Sequence, residues 1–186
     1  MTAFDQAWAL VKMPIVPGSL YPTKHVSVPR SGKAKANRSW KALFQDPETN
    51  EIEPMLIDYI EQLNMFGDKM RSYEGQIGEG IDRGKLKYYG DDDRFVNDDG
   101  ELYSPEPDHR KSITSIGWVG DNMAYPDWTE TREGLRGRGY APALYDAIAY
   151  LMRENQNTRL YPSTEQIQSA KNMWRNNETW PVRDDL

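Results

Sequence analysis

The clearest periodic stretch of the chain lies between residues 141 and 152. Ala141, Leu144, Tyr145, Ile148, Leu151 and Met152 recur at helical spacing and form one apolar stripe. Pro142 falls in the first turn, where its missing N–H would have had no partner anyway, so the helix begins at or just before 141. A second stripe opens after Pro54, with Leu56, Tyr59, Ile60, Leu63, Phe66 and Met70 on one side, and predicts a core helix. Phe4, Ala7, Trp8 and Val11, behind Thr2 as N-cap and ended by Met13-Pro14, predict a short terminal helix. Ser163-x-x-Gln166 is a capping box for a last helix carrying Ile167, Ala170 and Trp174.

Extended segments are marked by turn residues. Residues 42–45 and 51–52 flank Asp46-Pro47-Glu48-Thr49-Asn50 and predict a hairpin. Residues 85–89, 94–96 and 101–103 read as strands, the last two joined through Asn97-Asp98-Asp99-Gly100. Ile113, Ile116, Trp118 and Val119 make 112–120 a buried strand. Residues 15–39 have no period and read as irregular, and the glycines of 75–85 read as a flexible connection.

With 186 residues this is one domain, or one domain with an N-terminal elaboration over 1–41 ahead of a main body at 42–186. The absence of cysteine excludes disulfides, thiolate metal sites and a cysteine nucleophile. A net charge of −6 argues against a general nucleic-acid partner. No apolar run reaches membrane-spanning length and residues 1–12 lack a basic leader, so a soluble, cytoplasmic protein without a membrane partner is expected.

Local chemistry is sparse. Lys24, Arg30, Lys33, Lys35, Arg38 and Lys41, with Trp40, form a basic run over 24–41 that suits single-stranded nucleic acid or the 3′-phosphate of a CoA-like ligand; a solvated loop is the plainer reading. Gly80-x-x-x-Gly84-Lys85 is one residue short of a P-loop, and Leu86 replaces its hydroxyl. The aspartates around 91–99 fail as a calcium loop because Phe95 takes the first ligand position. His25 and His109 have no metal spacing, and no metal is expected.

The sharpest signal precedes the central helix. Arg136-Gly137-Arg138-Gly139-Tyr140-Ala141 offers two guanidinium groups and glycine-flanked amides at a helix N-terminus, an arrangement suited to phosphate. Arg136-x-x-Gly139-x-Ala141 resembles the Q/R-x-x-G-x-G/A signature of the GNAT superfamily of acyl-CoA N-acyltransferases, and the resemblance covers roughly 112–175. It implies an α/β fold, a mixed sheet with splayed central parallel strands flanked by helices, here with an N-terminal elaboration and a shortened C-terminus. The splayed strands would be Trp128-Thr129-Glu130-Thr131 and Arg159-Leu160-Tyr161. The implied co-substrate is acetyl-CoA or another acyl-CoA, held by Thr131, Arg136, Gly137, Arg138, Gly139, Tyr140 and Ala141. The implied reaction moves an acyl group to an amine of a small molecule or protein.

Acyl transfer needs a polarised carbonyl, for which a backbone N–H near Thr131 serves, a base for the ammonium and an acid for the thiolate. The family's tyrosine acid falls at Trp174 in this chain, and an indole is a donor only, with no proton-transfer chemistry at neutral pH. Glu130, with Glu133 beside it, is then the candidate base and Tyr161, with Tyr125, the candidate acid. Alternatives are a phage-type accessory protein of this fold that binds without turnover, or a nucleic-acid accessory protein using 24–41.

Overall fold

The computed structural model describes residues 14–23, 36–78, 87–89, 94–96, 102–103, 111–119, 122–164, 166, 168–174 and 177–186. The terminal helix expected over 4–11, the basic residues of 24–35 and the aspartates of 91–93 lie outside these residues.

The main sheet has seven strands in the spatial order β1-β2-β3-β4-β8-β9-β10. These are β1 (Tyr21–Thr23), β2 (Arg38–Gln45), β3 (Ile52–Leu63), β4 (Lys69–Ile77), β8 (Ser112–Val119), β9 (Met123–Thr131) and β10 (Arg159–Leu160). β5 (Lys87–Tyr89), β6 (Arg94–Val96) and β7 (Leu102–Tyr103) pair antiparallel in a second sheet of three, as their sequence predicts. After β9 come a 3₁₀ turn (Glu133–Leu135) and the 17-residue helix α1 (Tyr140–Gln156); a seven-residue helix α2 (Gln168–Trp174) follows β10.

Every pairing in the main sheet is antiparallel except β9 with β10, which are parallel over two residue pairs, Arg159 with Met123 and Leu160 with Ala124. This corrects the expected α/β class with splayed central parallel strands flanked by helices. The sheet is a curled, antiparallel-rich one, with two α-helices among the described residues. The cause is local: β2, β3 and β4 follow one another through turns, and antiparallel neighbours need no crossover helix between them.

The predicted helix after Pro54 is the second correction. Residues 52–63 and 69–77 are β3 and β4, joined by a turn in which Gly67 has φ +85°. The stripe chosen for burial leaves Leu63, Phe66 and Met70 exposed. The pattern that operates is period two, with Met55, Ile57 and Tyr59 buried together on one face. The nominally irregular 15–39 also supplies β1 and the fully buried Ile15, and 75–77 belong to β4 rather than to a flexible connection.

The core lies between one face of this sheet and α1. Trp40, Phe44, Met55, Ile57, Tyr73, Ile77 and Ile116 meet Tyr140, Leu144, Ile148 and Met152. A Cβ added at Gly75 would stand 3.0 Å from Leu144 and 3.2 Å from Ile148, so glycine there lets the helix sit close to β4. The C-terminal residues complete the edge. Trp180 is buried, donates its amide to the Leu160 carbonyl at 2.8 Å, and meets Trp174 and Tyr145 edge to face at centroid separations of 5.0 and 5.1 Å. Trp174 is thus a core ring. No helix of the described residues is long and apolar enough to cross a membrane.

Candidate functional site

The connection β9–loop–α1–β10 places three features at one end of the parallel pair. The first is an open strand edge. β10 leaves β9 after the Tyr161 amide bonds the Ala124 carbonyl at 2.9 Å, and prolines follow on both chains, Pro126 and Pro162, neither of which can donate to a ladder. Arg132 N–H bonds back to the Lys111 carbonyl at 3.0 Å. Peptide groups alternate in direction along a strand, so those of Thr129 and Thr131 face away from β8, onto the opened edge.

The second feature is the helix start. Gly137 and Gly139 have φ of +85° and +86°, the left-handed region where glycine is unstrained, and nothing lies within 4 Å of a Cβ built at Gly137. Among the described residues no acceptor is bonded to the amides of Gly137, Gly139, Tyr140 or Ala141. They are orphan donors of the helix start, those of Gly137 and Ala141 on residues that are at least partly exposed and those of Gly139 and Tyr140 on buried ones.

The third feature is the pair of arginines, and the structure treats them differently. Arg136 is exposed and its Nε donates to the Thr131 carbonyl at 3.3 Å, which ties the loop to the opened edge and leaves the terminal nitrogens to solvent. Arg138 is committed to the chain's own carboxylates: Nε lies 3.0 Å from Glu48 and Nη1 3.5 Å from Asp46. Asp46 also accepts the Tyr140 hydroxyl at 2.8 Å and, in an Asx turn, the amides of Glu48 and Thr49. Burial raises its pKa, but these donors outweigh burial and hold the carboxyl below its usual value. The same contact, with burial as the larger cause, pushes the Tyr140 phenol up, so it stays a protonated donor.

Beneath the opened edge runs a row of hydroxyls on the α1 face. Ser112 meets Thr131 at 2.9 Å, Thr114 meets Thr129 at 2.7 Å, and Thr129 meets the Tyr145 hydroxyl at 2.7 Å. These groups satisfy one another, so a polar floor is kept without unpaired donors. Burial pushes the Tyr145 phenol up, which keeps its proton in the row.

The candidate catalytic residues are brought near this opening but not to each other. Glu130 alternates with the threonines and faces away from α1, exposed. Tyr161 stands where β10 departs, its ring 5.9 Å from that of Tyr125. Glu133 is exposed in the 3₁₀ turn. No hydrogen bond joins Glu130 to Tyr161 among the described residues. Sequence reasoning missed Asp46 and Glu48, read only as turn formers, and the hydroxyl row. The alternation of Ser112 and Thr114 facing Thr129 and Thr131 is the one signal that pointed to that row. The described residues contain no cluster of His, Cys, Asp and Glu able to hold a metal ion.

No family model, curated protein or solved structure matches the chain. The resemblance in Arg136–x–x–Gly139–x–Ala141 therefore rests on those residues alone, in a sheet that is not the one it implies.

Proposed function

We propose that the protein binds an acyl-CoA at the opening between β9 and β10 and transfers its acyl group to an amine. The observation that carries this reading is the continuity of the site. The outward-facing peptide groups of Thr129 and Thr131, the latter's carbonyl already tied to Arg136, lead toward the unbonded amides of Gly137, Gly139, Tyr140 and Ala141 at the positive end of α1. An amide-containing arm suits the strand edge and a pyrophosphate suits the loop. Arg136, rather than Arg138, supplies the available guanidinium.

In the reaction the amine nitrogen attacks the thioester carbonyl carbon, the C–N bond forms and the C–S bond breaks. A strand-edge N–H of Thr129 or Thr131 polarises the carbonyl oxygen. Glu130 takes the proton lost by the amine, and Tyr161 donates one to the departing thiolate. Holding the reactants in line supplies the remainder of the acceleration. A binding protein without turnover is the second reading, favoured by the position of Trp174, which is locked in the core beside Tyr145 and Trp180.

A thermal-shift titration tests the binding step. At a hundredfold excess over Kd, ligand binding contributes about 2.7 kcal/mol, or a rise of roughly 5–10 °C in Tm for a domain of this size. Acetyl-CoA should give such a rise and Arg136→Ala should remove most of it; an equal rise in Arg136→Ala would exclude the loop as the site. Glu48→Gln tests the role given to Arg138. Glu48 is exposed, so stability should move by less than about 0.5 kcal/mol, while release of Nε should raise acetyl-CoA affinity about two- to fivefold. A fall in affinity would mean that Glu48 supports the site instead of competing for it.

A further inference from the structure

A second polar cleft lies at the other end of α1. The 17 residues of the helix, at 1.5 Å each, put it about 25 Å from the Gly/Arg loop. Here the sheet extends beyond the last turn of the helix. Arg38 on β2 stands opposite Tyr59 on β3, and Glu61 opposite Arg71 on β4. Together with Asn37, Asn155 and Gln156 these residues line a cleft of about 460 Å³.

The hydrogen-bond inventory of the cleft is one-sided. Each of its amide oxygens and its carboxylate already accepts at least one hydrogen bond. Asn155 Oδ1 accepts from Arg38 at 3.3 Å, Gln156 Oε1 from the Tyr73 hydroxyl at 3.0 Å, and Asn37 Oδ1 from the Glu61 amide at 2.6 Å. Glu61 accepts from the Tyr59 hydroxyl and from Lys69, both at 2.8 Å. Among the described residues the groups left without any partner are N–H donors: most of the Arg38 guanidinium, the Arg71 guanidinium, the Gln156 amide and the Asn37 amide. The nearest carboxylate oxygen to Arg71 Nε, on Glu61, is 3.9 Å away, beyond hydrogen-bond length. Two guanidinium groups share the lining with one carboxylate, which is itself paired with Lys69.

The negative end of α1 is partly capped here, with Arg153 O accepting the Asn157 amide and Gln156 O the Thr158 hydroxyl. Tyr59, whose phenol is pushed up to about 12 by burial and by Glu61, keeps its proton and so keeps Glu61 engaged.

We infer that this cleft is a binding site for a small oxyanion, a phosphate or carboxylate group, held between the guanidinium forks of Arg38 and Arg71. A site whose unpartnered polar groups are donors, two of them guanidinium groups, suits a ligand rich in acceptors, and a fork geometry matches two oxygens of one such group. The site is independent of the acyl-CoA reading, since none of its residues belongs to the loop or to β9.

The test is a titration of the full chain with inorganic phosphate and, separately, with succinate, each at an ionic strength held constant with chloride. Arginine Nε–Hε signals are followed by NMR. Saturable shifts of the Arg38 and Arg71 signals are expected, with affinity falling about tenfold in Arg38→Gln and in Arg71→Gln, and less in Arg38→Lys. Saturation by phosphate alone assigns a phosphate-bearing ligand, and by succinate alone a carboxylate. Arg136→Ala should leave the response unchanged. Shifts that fail to saturate with either anion, or a response kept in both glutamine variants and lost in Arg136→Ala, would overturn the assignment.

Discussion

Asp46→Ala should be the most damaging single substitution in the protein outside the apolar core, lowering stability by about 3–5 kcal/mol, the range found when one partner of a buried charged contact is removed. Asp46 is 2% exposed and is the common acceptor of two turn amides, the Tyr140 hydroxyl and Arg138. Its loss leaves the fully buried Tyr140 hydroxyl without a partner, at about 1–3 kcal/mol, and frees the turn between β2 and β3. Tyr140→Phe should cost only about 1 kcal/mol, because Asp46 keeps its other donors. Asp46→Asn, which can still form the Asx turn, should fall between the two. Urea denaturation checks this ordering, read as midpoints at constant slope. A loss below about 1 kcal/mol for the alanine variant would show that the turn and the helix start do not depend on this carboxylate.

The second large effect is on pH dependence and comes from Asp146. It lies on α1 under the C-terminal residues, accepting Trp180 Nε1 at 2.8 Å, with Arg183 Nη1 at 3.7 Å, an ion pair too long to be a hydrogen bond. Burial pushes its pKa up to about 6, the two donors offsetting only part of the shift. The folded state then holds a proton that the unfolded chain releases between pH 4 and 6. Stability from this group is present below its ordinary pKa and is lost as pH rises through the folded value. The loss is about 3 kcal/mol, complete just above pH 6. Asp46, Glu61 and Asp185 have lowered values and act in the opposite direction, in more acidic solution. Asp146→Asn should therefore flatten the fall in stability expected of the parent between pH 4.5 and 6.5. Parallel profiles for the two proteins would contradict the assignment.

What could be read from the chain follows from how local each cue is. The helix at 140–156 was legible because its stripe, Pro142 and the preceding glycines all agree over a few residues. The turn at 46–50 and the strands at 94–96, 112–119 and 159–160 were marked in the same local way. Residues 54–70 misled because two periods coexist there. Leu56, Tyr59, Ile60 and Leu63 fit a helix as well as Met55, Ile57 and Tyr59 fit a strand. The choice was made by neighbours, since β2 and β4 flank β3 on both sides and a strand there closes both ladders. The antiparallel-rich sheet class depends on those same pairings and was lost with them. At the candidate site the loop was visible, but the commitment of Arg138 was not. Its carboxylates sit about ninety residues earlier, in a turn whose sequence explains itself without it. The cleft at Arg38 and Arg71 is equally nonlocal, since strand register alone brings those residues together.

On the proposed function, the end of β9 and the start of α1 form one continuous site for an acyl-CoA. Amide chemical-shift mapping with CoA on the full chain tests this most directly. A contiguous set of perturbed amides is expected at Thr129, Thr131, Gly137, Gly139, Tyr140 and Ala141, saturating together and lost in Arg136→Ala. Saturable binding centred away from these residues, or no binding at millimolar CoA, would contradict it.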